Sequence, residues 1–140
     1  MMAAVRRLAA IVLVTAATAP LVGCGETQPD LFAVRRDGGI PGAKLSLVVN
    51  DAGTATCNGR RHPLPDPLLL QARQLQRDLR KPVKAGLSLP ARPGSVLRYQ
   101  VRGQDGMLSF ADNSRGQQPA LFRLAEFVRV VAKGVCRLAR

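Results

Sequence analysis

The chain has 140 residues, of which 21 are Lys or Arg and nine are Asp or Glu, so its net charge is +12. This length accommodates one small domain and excludes a chain of several domains. With one Tyr and no Trp, the chain is poor in the aromatic surfaces on which single-stranded nucleic acids stack, so we expect no nucleic-acid partner.

The first 23 residues have the plan of a secretory signal peptide. Arg6 and Arg7 form a short basic start, and residues 8–21 are nearly all apolar but too few for a permanent membrane span. The arginine pair leaves twin-arginine export open as an alternative route. Removal of residues 1–23 takes away two basic residues and no acidic one, so the remaining chain carries a net charge of +10.

Leu21-Val22-Gly23-Cys24 closes this segment and resembles the lipobox of bacterial lipoproteins. In that family a diacylglyceryl group is attached to the cysteine thiol, and the peptide is cut just before it. The resemblance implies lipidation of Cys24, with acyl chains such as palmitate, and a mature protein anchored to the extracytoplasmic face of the cell membrane. Two acyl chains anchor stably, at about 0.8 kcal/mol per buried methylene. An ordinary secreted protein with an incidental cysteine is the alternative.

The mature chain is predicted to be a short tether followed by one domain. Residues 24–30 are polar and without pattern, which indicates a tether, and residues 31–140 form the predicted domain. Cys57 and Cys136 are the two cysteines of that domain. An isolated pair in an oxidising compartment predicts a disulfide, with two free buried thiols as the alternative.

His62 is the only histidine, and it lies in a predicted loop over residues 58–65 that Pro63 and Pro65 keep extended. A catalytic histidine needs a nucleophile and an orienting acid nearby, and the sequence marks neither. The cysteines and His62 do not have the spacing of a metal site. We therefore assign no catalytic residue, no metal ligand and no cofactor, and expect a protein that is not an enzyme.

Three strands are predicted before the first helix. Residues 31–35 and 44–49 alternate in polarity and are predicted to pair across a glycine-rich connection. A turn with Gly53 in the left-handed conformation leads to the third strand. A three-residue loop pairs Leu47 with Cys57 on the buried face, whereas a two-residue loop would turn Cys57 outward, and we favour the first register because it hides the sulfur.

The first helix is predicted to begin at Asp66, as its N-cap, with Pro67 as the first helical residue. Its apolar stripe at helical spacing comprises Leu68, Ala72, Leu75 and Leu79. Pro82 is predicted to end the helix. Leu87 and Leu89 are expected to hold the irregular segment that follows to the core, and an exposed Leu or Phe in that segment would favour a protein-binding surface.

Residues 96–110 form the clearest predicted hairpin, with Asp105-Gly106 in a type I′ turn that places Val101 opposite Phe110. One face of this hairpin is apolar and comprises Leu97, Tyr99, Val101, Leu108 and Phe110. Arg98 and Arg102 lie on the other face.

The last helix is predicted to begin at Pro119, and Cys136 lies near its end. Its apolar stripe comprises Leu121, Leu124, Val128, Val131 and Val135. Consecutive hairpins followed by helices predict an α+β fold, with a small antiparallel sheet of four to five strands and two helices packed on one face.

Residues from several of these elements carry a family resemblance: Arg35-Arg36-Asp37-Gly38-Gly39, Tyr99, Phe110-Ala111-Asp112, and Pro119 with Leu121 and Leu124. Over about residues 31–131 the chain resembles emfourin-like proteins, small α+β inhibitors of thermolysin-like metalloproteases. It also resembles uncharacterised lipoproteins of high-GC Gram-positive bacteria. The emfourin-like pattern has neither a lipobox nor the cysteine pair, so we transfer no ligand-binding residue from it.

Two functions are expected from these observations. The first is a membrane-anchored, non-catalytic binding module, with an exported protease or another envelope protein as partner; inhibition of a peptidase is what the resemblance implies. The alternative is an envelope lipoprotein whose basic surface contacts anionic lipid or cell-wall polymer. Only four of the 21 basic residues are Lys, and Ala, Gly and Pro are abundant, which is also the composition that a GC-rich genome gives.

Overall fold

The computed structural model describes residues 29–138. Its elements in chain order are β1 (Asp30–Gly38), β2 (Leu45–Asn50), β3 (Thr54–Cys57), β4 (Arg60–Pro63), α1 (Asp66–Lys84), β5 (Leu97–Gly103), β6 (Gly106–Ala111) and α2 (Pro119–Gly134). The strands form one antiparallel sheet in the order β4-β3-β2-β1-β5-β6. The predicted α+β class is confirmed, but the sheet has six strands where four to five were expected.

The predicted signal peptide, residues 1–23, and the predicted lipidation site, Cys24, lie outside the described residues. The predicted tether reaches the described domain at Pro29, and β1 already includes Asp30. Within residues 29–138, no helix combines the length and the apolar character needed to cross a membrane.

Strand β4 lies where a loop over residues 58–65 was expected, and that prediction is wrong. Asn58 and Gly59 have φ angles of +48° and +84°, the left-handed conformations of a two-residue hairpin turn. Asn-Gly is the dipeptide that most favours such a turn. Pro63 lies on β4, the outermost strand, and pairs with Thr54 of β3. A proline is tolerated on an edge strand because one side of that strand needs no ladder hydrogen bonds.

One face of the sheet forms the core with both helices. The strands supply Phe32, Val34, Leu45, Leu47, Val49, Ala55, Cys57, Tyr99, Val101, Leu108 and Phe110, all buried. Leu47 pairs with Cys57, and Gly53 has a φ of +88°, which confirms the predicted three-residue loop. Phe127 of α2 is fully buried and meets the ring of Phe32 edge-on at 5.9 Å. The predicted stripe of the last helix omits Phe127, although its spacing from Leu124 places it there.

Helix α1 departs from its prediction at both ends. Pro65 is the N-cap and Asp66 the first helical residue, one position earlier than expected. Pro82 lies inside the helix, which continues to Lys84, because a proline in the last turn removes one hydrogen bond only and its ring is buried. Leu68 of the predicted stripe is half-buried. The buried side of the helix comprises Leu69, Ala72, Leu75, Leu79, Pro82 and Val83.

The second hairpin pairs Tyr99 with Phe110, so the predicted pairing of Val101 with Phe110 is wrong by two residues. Gly106 follows the turn instead of forming its tip, because it packs against the end of α1. A Cβ on Gly106 would lie 2.7 Å from the Val83 carbonyl oxygen. A shift of two residues keeps every side chain on its face, and the predicted apolar face is therefore correct.

Cys57 and Cys136 form a disulfide, with their α-carbons 5.7 Å apart. The predicted pair is thereby confirmed. The bond joins the end of β3 to the residues just beyond α2, across a sequence separation of 79. It therefore ties the first half of the sheet to the last helix.

Candidate binding surface on the open face of the sheet

Neither helix covers the second face of the sheet. Its side chains alternate with those of the core and are exposed or half-buried: Ala33, Arg35, Asp37, Ser46, Val48, Thr56, Arg61, Arg98, Gln100, Arg102, Met107 and Ser109. We call these residues the open face. It is mostly polar and basic, and it is broad because all six strands reach it or border it.

The pairing of β1 with β5 gathers three arginines at the centre of the open face. Arg35 on β1 pairs with Gln100 on β5, and Arg98 and Arg102 lie two residues to either side of Gln100. Side chains two residues apart on a strand share a face, so the three arginines lie around Gln100 on the open face. All four side chains are exposed. We call Arg35, Arg98 and Arg102 the arginine cluster.

No acid within residues 29–138 forms a salt bridge with the arginine cluster. Asp37 is the register partner of Arg98, but the two side chains do not form an ion pair. The salt bridges of the described residues all involve a helix: Arg73 with Asp51, Arg123 with Asp78, and Arg129 with Glu126. The open face holds four arginines, at positions 35, 61, 98 and 102, against the one aspartate, so it keeps a net positive charge and attracts anions.

The connection after α1 forms a wall along the edge of the open face. Leu89 donates its backbone N–H to the Ser109 carbonyl, and Ser109 donates its N–H to the Leu87 carbonyl, each at 2.9 Å. This pairing protects the edge of β6. A cavity of about 560 Å³ lies beside the wall, and its lining on the sheet includes Arg35, Asp37 and Arg98. Arg35 also lines two neighbouring shallow cavities, of about 410 and 180 Å³.

Leu87 and Leu89 of this wall are half-buried against the core, as predicted. Over residues 82–95 no Leu or Phe is exposed. The feature that would favour a protein-binding surface in that segment is thus missing, and the wall lines the cavity with Ser88, Leu89, Pro90 and Ala91.

Three residues that carry the emfourin-like resemblance, Arg36, Tyr99 and Asp112, have roles inside the fold. Arg36 is buried and donates from Nε to the Ala43 carbonyl and from a terminal nitrogen to the Gly42 carbonyl, each at 2.8 Å. These bonds hold the β1–β2 connection against the sheet. Burial lowers the pKa of the Arg36 guanidinium, and the charge interaction with Tyr99 partly opposes that effect.

Tyr99 and Asp112 are equally structural. The Tyr99 ring stacks on Phe110, with ring centroids 4.8 Å apart. The Asp112 carboxylate accepts hydrogen bonds from the Ser95 hydroxyl at 2.9 Å and from the Val96 N–H at 3.1 Å, and thereby fixes the start of β5. Of the residues that carry the resemblance, Arg36, Tyr99 and Asp112 are thus engaged within the fold, whereas Arg35 and Asp37 lie on the open face.

The second cavity of interest lies between the β1–β2 connection and the end of α2, with a volume of about 340 Å³ and mostly apolar walls. It is lined by three cations, but Arg36 binds backbone carbonyls and Arg129 binds Glu126 at 2.6 Å. Lys133 is left at its rim. A single lysine gives little orientation to a ligand, so we consider this cavity the weaker candidate.

His62 lies on β4, paired with Ala55, and is half-buried. Its side chain has no hydrogen bond or ion pair with any residue from 29 to 138. In the same range, no group of three or more His, Cys, Asp or Glu side chains is placed to hold a metal ion.

No family model matches the chain, and comparison with characterised proteins and with solved structures finds no similar one.

Proposed function

We propose that the chain is a membrane-anchored extracytoplasmic lipoprotein and that its domain is a non-catalytic binding module. The open face is the binding surface. The observation that carries this proposal is the arginine cluster, in which three exposed arginines lie around Gln100 and form no salt bridge within the described chain. The anchor rests on Leu21-Val22-Gly23-Cys24 and its resemblance to a lipobox.

The chemistry of the arginine cluster favours an anionic polymer of the cell envelope as the ligand. Guanidinium groups bind phosphate and carboxylate with two parallel hydrogen bonds. The cavities that meet at Arg35 are shallow and continuous with the sheet surface. Such a trough accommodates repeated anionic groups along an extended chain better than one compact molecule, which would leave most of the surface in contact with water.

The ligand is tested by binding of the mature chain, residues 24–140, to polyphosphate and to polyglutamate in about 0.1 M salt, where charges more than about 10 Å apart are screened. We expect Arg35→Gln/Arg98→Gln/Arg102→Gln to weaken binding at least tenfold. The matched control, Arg77→Gln/Lys81→Gln/Lys84→Gln, removes the same charge from α1 and should weaken it less than threefold. Equal losses would show that net charge, not the open face, binds the polymer.

Inhibition of an exported thermolysin-like protease is a second form of binding, and the emfourin-like resemblance favours it. Because Arg36, Tyr99 and Asp112 are engaged within the fold, an inhibitory contact would have to use other residues. Titration of several such proteases with the mature chain tests this form. Full protease activity at micromolar inhibitor would eliminate it and leave the polymer as the ligand.

The anchor is tested by Cys24→Ala. Because diacyl anchoring survives high salt whereas binding through charge does not, we expect membranes washed in about 1 M salt to retain the native protein and to release the variant. A variant that stays on the washed membranes would contradict lipidation as the cause.

A further inference from the structure

Helix α1 presents five basic side chains away from the core. They are Arg73, Arg77, Arg80, Lys81 and Lys84, which we call the basic stripe. At 3.6 residues per turn they cover about one third of the helix circumference, opposite the buried Leu75 and Leu79. Asp78 lies at the margin of this stretch and binds Arg123 of α2 at 3.0 Å. Asp78 therefore does not neutralise the stripe, and Asp51 pairs with Arg73 alone, which leaves the other four basic residues of the stripe without a salt bridge among the described residues.

The predicted tether meets the domain beside this helix. The carbonyl of Pro29, the first described residue, accepts a hydrogen bond from the Asp51 N–H at 3.0 Å. The Asp51 carboxylate in turn binds Arg73 Nε at 2.6 Å. Further along the helix, Arg80 lines a small cavity together with Phe32 near the start of β1. Pro29, where the described chain begins, is thus linked through Asp51 to Arg73 of α1.

We propose that the basic stripe rests on the surface of an anionic lipid bilayer, with the open face turned away from the membrane. This inference rests on the proposed lipid anchor at Cys24. The six residues from Cys24 to Pro29 span at most about 20 Å, so α1 stays within reach of the lipid headgroups. Charge complementarity selects an anionic surface, and Leu70, 63% exposed among the basic residues, is placed to enter the headgroup layer.

Binding without the lipid measures the contribution of the basic stripe. The probe is the mature chain with Cys24→Ala, floated with vesicles of phosphatidylcholine containing phosphatidylglycerol, and with phosphatidylcholine alone, in about 0.1 M salt. Each Lys or Arg at an anionic surface strengthens binding about fivefold, so Arg77→Gln/Lys81→Gln/Lys84→Gln should weaken it about 100-fold. Vesicles of phosphatidylcholine alone should bind poorly in all cases.

The matched control is Arg35→Gln/Arg98→Gln/Arg102→Gln, which removes three charges from the opposite side of the domain. We expect it to change the affinity for anionic vesicles less than threefold. Equal losses in the two variants, or a larger loss in the control, would overturn the proposal. So would a parent chain that binds anionic and zwitterionic vesicles equally.

The orientation of the anchored protein gives an independent test, because the chain contains no Trp. Leu70→Trp places one reporter in the basic stripe, and Gln100→Trp places one at the centre of the open face. In the lipidated protein on vesicles with brominated lipids, we expect quenching of the first reporter and not of the second. Quenching of Trp at position 100 alone would overturn the proposed orientation.

Two measurements distinguish a wrong proposal for the lipid anchor from a wrong proposal for the bilayer contact of the basic stripe. The mass of the native mature protein shows whether Cys24 carries the diacylglyceryl group, and the flotation assay uses a chain without that group. A lipidated native protein whose stripe variants float like the parent would overturn this inference and leave the proposed function standing.

Discussion

Arg36 on β1 and Tyr99 on β5 are register partners on the buried face of the sheet. The only tyrosine of the chain therefore lies beside the one arginine that is buried among the described residues. Burial raises the pKa of the Tyr99 hydroxyl, the Arg36 charge opposes this shift, and Asp112 adds to it. Since burial is the largest of these effects, the neutral phenol is the form that the fold favours.

The first prediction concerns ionisation of Tyr99. A spectrophotometric titration of the folded domain should give a midpoint above the ordinary tyrosine pKa of about 10, because burial disfavours the phenolate. Every change in phenolate absorbance belongs to Tyr99, since the chain has no other Tyr. Denaturant should return the midpoint to the ordinary value. An ordinary midpoint in the folded protein would contradict the prediction.

The same shift predicts a loss of stability in alkali. Because folding raises the pKa of Tyr99, the contribution of its neutral hydroxyl to the free energy of unfolding is complete below the pKa of tyrosine in the unfolded chain. That contribution is lost as the pH rises through the pKa of Tyr99 in the folded domain. Denaturant unfolding at about pH 8 and about pH 11, on either side of the unfolded tyrosine pKa, should show this loss. Tyr99→Phe has no ionisable hydroxyl, so the alkaline loss should be smaller in this variant than in the parent.

The disulfide is expected to supply a large share of the stability. Cys57→Ala/Cys136→Ala should lower the free energy of unfolding by about 4 kcal/mol, because the bond closes a long loop in the unfolded chain. Urea unfolding gives the value, and the reduced parent is the control for the change in side-chain volume. A loss below about 1 kcal/mol in both samples would contradict the prediction that the bond stabilises the fold by restricting the unfolded chain.

Alanine substitutions at two glycines are expected to change the free energy of unfolding in opposite directions. At Gly106, with a φ of +154°, a Cβ would lie 2.7 Å from the Val83 carbonyl oxygen, so Gly106→Ala should cost about 2 kcal/mol. At Gly134, in α2, a Cβ would meet nothing within 4 Å. Gly134→Ala should therefore add up to about 1 kcal/mol through helix propensity. Thermal unfolding of both variants measures the difference, and a shift of the same sign would be inconsistent with it.

Loss of the Asp51 carboxylate is expected to loosen the start of the domain at Pro29 more than it lowers the overall free energy of unfolding. Its salt bridge with Arg73 is partly exposed, with 29% and 40% of the two side chains accessible, so Asp51→Asn should cost less than about 1 kcal/mol. Hydrogen exchange at the Asp51 amide, which binds the Pro29 carbonyl, should nevertheless accelerate. Glu126→Gln breaks another exposed salt bridge and should leave that amide unchanged. Unaltered exchange in Asp51→Asn would refute the role of this pair.

Local pairings were predictable where a turn alone decides them. Gly53 fixes the loop length, and the loop length fixes Leu47 opposite Cys57. The register of the second hairpin could not be predicted in the same way, because the position of Gly106 depends on its tertiary contact with Val83 of α1. Pro82 likewise continues the helix because its ring is buried in the core, which overrides its local tendency to end a helix.

Strand β4 was predictable in principle, since Asn58-Gly59 is a hairpin signal in its own right. The arginine cluster was predictable only in part. Alternation places Arg98 and Arg102 outward on one strand. Their meeting with Arg35 depends on the pairing of β1 with β5, two strands far apart in sequence. No local pattern specifies which strand becomes the neighbour of β1, so the cluster appears only in the folded sheet.

The bond between Cys57 and Cys136 also determines what happens when the chain is cut. Cleavage of any peptide bond between these two residues yields fragments that remain covalently joined. The most exposed stretch of the connection after α1, residues 90–94, falls inside this interval. A nick there releases nothing, and β5, β6 and α2 stay attached to the fragment that begins before β1. Electrophoresis would therefore separate the two fragments of a nicked molecule only after reduction. Because the disulfide holds the fragments together, release of the domain from the proposed lipid anchor requires a cut on the N-terminal side of Cys57.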